Sequence, residues 1–73
     1  MIRVHLDRVL VDRGMTLTEL SEHVGVTIVN LSKLKTGSVR GVRFTTLDAI
    51  CRALRCQPGD ILKYFEEGGE DRP

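Results

Sequence analysis

A chain of 73 residues, 41% of them apolar, has room for one domain and one modest core, because so small a chain buries only about 60% of the surface it exposes when unfolded. No apolar run approaches the roughly 20 residues of a membrane-spanning helix, and the N-terminus lacks a signal-peptide pattern. A cytoplasmic protein without membrane contact is therefore expected, and a net charge of +1 argues against a uniformly basic surface.

The chain opens with "MIRV", which alternates apolar and polar as a brief strand does, and His5 follows at a strand end or helix entry. Leu6, Val9 and Leu10 then mark a first helix that stops at Gly14. In "MTLTEL", Thr16 is an N-cap, Glu19 completes a capping box three residues on, and Met15 and Leu20 form a hydrophobic staple. The helix that starts there carries Leu17, Leu20, Ser21 and Val24 at i, i+3, i+4, i+7 spacing, leaves His23 on its polar side, and ends at Gly25. The small Ser21 allows another helix to approach closely.

The next helix repeats the device. Thr27 is the N-cap, Val26 and Leu31 form the staple, Leu34 lies one turn further along the buried side, and Gly37 closes the segment. Two short helices joined by the turn Gly25-Val26-Thr27 have the spacing of a helix-turn-helix. A further helix is predicted in "FTTLDAICRAL", with Thr45 as cap, Asp48 at the third helical position and an apolar stripe of Leu47, Ile50, Cys51 and Leu54. Pro58 at a first helical position introduces a fifth helix through Ile61 and Leu62. "ILKYF" again alternates, so the two ends of the chain are expected to pair as a small sheet whose open edge is available to a second subunit. The domain spans residues 1–65, and residues 66–73, "EEGGEDRP", form an acidic tail expected to be flexible.

The near-neutral average hides a polarity along the chain. Residues 33–55 hold Lys33, Lys35, Arg40, Arg43, Arg52 and Arg55 against Asp48 alone, a balance of +5, whereas residues 60–73 balance at −3. Fields act locally, within about 8 Å at physiological salt, so the basic segment can serve an anionic partner despite the average. Cys51 and Cys56 are five apart and out of register on a helical wheel, which predicts two reduced, partly buried thiols poorly placed to bridge each other. With His5 and His23 as the other soft ligands and no Cys-x-x-Cys spacing, no metal site is expected.

The stretch "MTLTELSEHVGVTIVNLSKLKTG" followed by "RFTTLDAICRALRCQPGDIL" resembles the Cro/repressor class of phage and bacterial helix-turn-helix regulators, the XRE family. The likeness covers about residues 6–63 and rests on Leu20-Ser21 in place of the family's Leu-Ala, the Gly25-Val26-Thr27 turn, Leu31-Ser32-Lys33-Leu34 in the recognition helix, Gly37 after it, and the run Leu47 to Leu54. The short "MIRVHLD" opening and compact "ILKYF" ending are similar to very small bacterial members with no second domain. The implied fold is all-α, a compact five-helix, lambda-repressor-like domain with a small terminal β-pairing.

What the resemblance implies for function is sequence-specific binding to double-stranded DNA, as a repressor and as a homodimer, with no cofactor and with residues 27–36 in the major groove. If Leu31 and Leu34 face the core, Ile28, Val29, Ser32 and Lys33 project toward base edges: the aliphatic pair toward thymine methyls, Lys33 toward guanine O6 or N7. Backbone or mixed contacts are expected from Thr16, Thr18, Thr27, Asn30, Lys35, Ser38, Arg40 and Arg43. The family commonly has glutamine where this chain has Leu17, which leaves few hydrogen-bonding side chains for direct readout and makes two half-sites the natural remedy. A competing function keeps the fold but makes it an antitoxin-like module that covers a protein partner. Enzymatic activity is not expected, since the chain has no glycine-rich phosphate loop and no paired carboxylates beside a histidine.

Overall fold

Left-handed residues and hydroxyl caps divide the chain into its elements. The computed structural model describes residues 1–37 and 41–66, and within them β1 (Ile2–Val4) precedes α1 (Leu6–Arg13), α2 (Leu17–Val24), α3 (Ile28–Thr36), α4 (Phe44–Leu54), α5 (Pro58–Ile61) and β2 (Leu62–Tyr64). Gly14 ends α1 at φ 63°, and the amide of Met15 then donates to the carbonyl of Leu10 at 3.0 Å, a bond that reverses the chain and turns Met15 toward the core. The capping box of α2 is complete: the Glu19 amide donates to Thr16 Oγ1 and the Thr16 amide to Glu19 Oε1, both at 3.1 Å. Thr27 caps α3 by accepting from the Asn30 amide at 3.2 Å.

The start of α4 departs from expectation. Arg43, in extended backbone at φ −71°, ψ 144°, occupies the N-cap position, and its carbonyl already accepts from the Leu47 amide at 2.9 Å. Thr45 therefore lies inside the helix instead of capping it, and no side chain caps α4. A cap is worth about 1 kcal/mol. Leu47, Ile50 and Leu54 are buried, and the two residues added at the start of the helix, Phe44 and Thr45, are exposed. Asp48, at the fifth helical position instead of the expected third, pairs with Arg52 Nη2 at 2.9 Å across an exposed i, i+4 step.

The ends of the chain pair as expected. β1 and β2 run antiparallel, with Ile2 opposite Tyr64, Arg3 opposite Lys63 and Val4 opposite Leu62. The Val4–Leu62 pair packs against the core, and the Ile2–Tyr64 pair on the same face extends into solvent. His5 links sheet to helix: its amide donates to the Ile61 carbonyl at 2.6 Å, and its buried ring meets Phe65 at 6.0 Å between centroids.

Every helix contributes to one core. Leu6, Val9 and Leu10 from α1 meet Leu20 of α2, Leu31 and Leu34 of α3, Leu47, Ile50 and Leu54 of α4, and Ile61 of α5. Arg13, in the last turn of α1, donates through Nε to the carbonyl of Leu54 at 2.7 Å and through Nη2 to that of Arg55 at 3.2 Å. A cation thus meets the carbonyl end of α4, where the helix dipole favours it. Ser21 donates its hydroxyl to the Val26 carbonyl, so this small residue ties α2 to the turn before α3.

The two cysteines are closer than a helical wheel allows. Arg55 adopts left-handed backbone at φ 52°, so Cys56 has left the helix, and its amide donates back to the carbonyl of Cys51 at 3.1 Å. The thiols are free and partly buried.

Candidate nucleic-acid interface

The buried side of α3 fixes its outward side. Leu31 and Leu34 are buried, and Val29, Lys33 and Thr36, at i, i+4, i+7, point the opposite way. Ile28, Ser32 and Lys35 lie along one flank of that stripe, and Asn30 along the other. The two aliphatic residues at the head of the helix stay outside the core: Ile28 is 45% exposed and Val29 63%. Lys33 is exposed, Ser32 and Lys35 are half-buried, and the Thr36 hydroxyl donates to the Lys33 carbonyl at 3.2 Å. Ile28 and Val29 thus form an exposed apolar pair at the head of α3.

The Asn30 flank faces a cleft of about 460 Å³ between the beginnings of α3 and α4, lined by Thr27, Asn30, Arg43 and Thr46 over a floor that includes Leu31 and Leu34. Two helix N-termini therefore open beside one another, and neither carries an acidic residue in its first turn. The contrast with α2 and α5 is informative, because Glu19 and Asp60 neutralise those N-termini. Helix N-termini offer free amides and a partial positive charge, and Arg43 adds a full one. Asn30 presents its side chain there while its amide is held by Thr27.

The remaining expected contacts are dispersed. Thr16 and Thr18 are exposed at the head of α2, but the Thr16 hydroxyl both accepts from the Glu19 amide and donates to the Glu19 carboxylate at 3.1 Å, so its hydrogen-bonding capacity is largely used within the cap. Lys35 lines a separate cleft with Thr36, Gly37, Met1 and the β1 residues Ile2 to Val4. Ser38 and Arg40 lie outside the described residues. Sequence reasoning missed Thr46 and Phe44: Thr46 joins the cleft because α4 begins at Phe44, and Phe44 itself is 86% exposed beside Arg43. The signal that could have found them is the absence of any acidic residue from Gly37 to Leu47, which marks a helix start left open to anions.

Two short helices in helix-turn-helix connection, an outward stripe on the second of them and a basic cleft at its head define a DNA-binding domain. The family model for the Cro/C1-type HTH DNA-binding domain matches residues 5–67, and the chain belongs to that family of DNA-binding regulators. It is 56% identical over 63 residues, 86% of its own length and 75% of the relative's, to YozG of Bacillus subtilis (strain 168), described as an uncharacterized HTH-type transcriptional regulator. Among the described residues no helix is long and apolar enough to cross a membrane.

Proposed function

We propose that the protein is a homodimeric transcriptional repressor that lays α3 in the major groove of a palindromic DNA site and works beside the chromosome in the cytoplasm. The observation that carries this reading is the exposure of Ile28 and Val29 at the head of α3, in line with Lys33. Ile28 and Val29 meet thymine methyl groups, Lys33 donates to guanine O6 or N7, and Ser32 makes a shorter polar contact beside them. Thr27, Asn30 and Arg43 take a phosphate into the cleft between the two open helix N-termini. Lys35, Ser38 and Arg40 make further backbone contacts, as do Thr16 and Thr18.

A monomer with two or three base contacts, each worth about 1–3 kcal/mol of discrimination, specifies a site poorly. A second copy doubles the contacts. The exposed Ile2–Tyr64 pair beside the open edges of the two-stranded sheet offers that copy an apolar and hydrogen-bonding surface.

Selection of bound duplexes from a random pool tests the reading. The expected winner is a palindrome whose half-sites lie about one helical turn apart, 10–10.5 bp. Its affinity should fall with salt at about 0.9 in log–log slope for each phosphate neutralised. A pool that enriches nothing, with a salt slope near zero, overturns it. An asymmetric winner bound by one copy removes the dimer and leaves the groove contact standing.

A further inference from the structure

We propose that Cys51 and Cys56 form a reversible thiol–disulfide couple, a site of oxidation by small-molecule disulfides that closes across the C-terminal cap of α4. The backbone prepares this closure. Left-handed Arg55 turns the chain so that its own amide and that of Cys56 both donate to the carbonyl of Cys51, the latter at 3.1 Å. Standard bond lengths on either side of that hydrogen bond keep the two Cα atoms within about 7 Å, and about 7 Å is the separation beyond which a disulfide needs backbone movement.

Access is provided on the outer side of α4. Both cysteines line an open cleft of about 510 Å³ with Phe44, Leu47, Asp48 and Pro58, wide enough to admit a small disulfide. Neither thiol belongs to the surface assigned to DNA. Burial, then the adjacent Cys51, pushes the Cys56 thiol up to about 11, which lowers its thiolate fraction and slows its attack on a disulfide.

The exchange balances without any further reagent. One cysteine sulfur attacks the small disulfide, and the thiolate expelled takes up the proton that the attacking thiol loses. The second cysteine sulfur attacks the protein sulfur of the mixed disulfide, and the second small thiol leaves with the second proton. The protein gives up two electrons and two protons, and the small disulfide is reduced to two thiols.

The test equilibrates the full chain with mixtures of reduced and oxidised glutathione, traps it with acid, and reads mass, free thiols and helical circular dichroism. The expected product of the wild type is a monomer-sized chain lighter by two hydrogens, free of thiol and of glutathione, with unchanged helicity, and restored by dithiothreitol. Cys51→Ser and Cys56→Ser should each stop at a glutathione adduct that the wild type resolves. Accumulation of glutathione adducts or chain-to-chain cross-links on the wild type overturns the proposal. So does a folded wild type that keeps both thiols in oxidised glutathione alone while the same chain oxidises in urea, because the pair then serves only as interior packing.

Discussion

The proposed function gives Lys33 a base contact and Arg43 a phosphate contact, and their positions make that division measurable. Lys33 stands in line with Val29 on the outward stripe of α3, whereas Arg43 sits in the cleft between two helix N-termini. Lys33→Ala should lower affinity for the selected site by about 1–3 kcal/mol and change nonspecific binding far less. Arg43→Ala should weaken both alike and reduce the log–log salt slope by about 0.9. Titrations of both duplexes at several salt concentrations check this, and equal behaviour of the two variants would discredit the assignment. Cys56 offers an independent residue-scale prediction. Its thiol, raised from 9.0 to about 11 by burial and then by Cys51, with Asp60 adding and Arg13 opposing, should alkylate at pH 8 on the order of a hundredfold more slowly than an unburied thiol. Because the folded-state value lies above the unfolded one, its contribution to stability is whole below pH 9 and declines as pH rises toward 11.

At the scale of the element, chemistry only a few residues apart was readable directly. The capping box at Thr16, the cap at Thr27, the left-handed glycines at 14, 25 and 37 and the apolar spacing of α2 and α3 all act through neighbours in the chain. Thr16→Ala should cost about 1 kcal/mol in denaturant unfolding and leave the preferred DNA site unchanged. A shift in the selected site would show instead that Thr16 reads DNA. The segment "FTTLDAICRAL" ends where α4 ends, at Leu54, but the left-handed turn after it was not readable, because an arginine there gives no signal of the kind glycine gives. Arg55 holds φ 52° where the side chain is disfavoured, so Arg55→Gly should stabilise the fold by about 1 kcal/mol, read as a raised denaturant midpoint at constant slope. The beginning of α4 was misread for a related reason. A threonine two residues further on offered a plausible cap, but the helical hydrogen bonds already begin at the Arg43 carbonyl.

Over the whole molecule, one small core carries nearly all the stability and therefore also the DNA-binding geometry. Leu31 is fully buried at the centre of α3, between the residues assigned to bases. Leu31→Ala should cost about 2–5 kcal/mol, and natural domains hold only about 5–15 kcal/mol in total, with chains this short at the low end. Thermal unfolding should show a large drop in midpoint, and at ordinary temperatures the variant should lose DNA binding of every kind together with its helicity. Retention of nonspecific binding in a fully folded Leu31→Ala protein would contradict this.

The helix-turn-helix and its outward face were determined by the sequence alone, since caps, left-handed turns and apolar periodicity are interactions among near neighbours, and the alternation at both chain ends marked the two strands without fixing their register. Tertiary structure decided what depends on distant segments converging. It placed Arg43 and Thr46 beside Thr27 and Asn30, set Arg13 on the carbonyl end of α4, and aligned Ile2 with Tyr64. It also turned the chain at Arg55 so that Cys56 returned to Cys51, because burial of one shared core selects among local conformations whose own preferences differ by only about 1 kcal/mol.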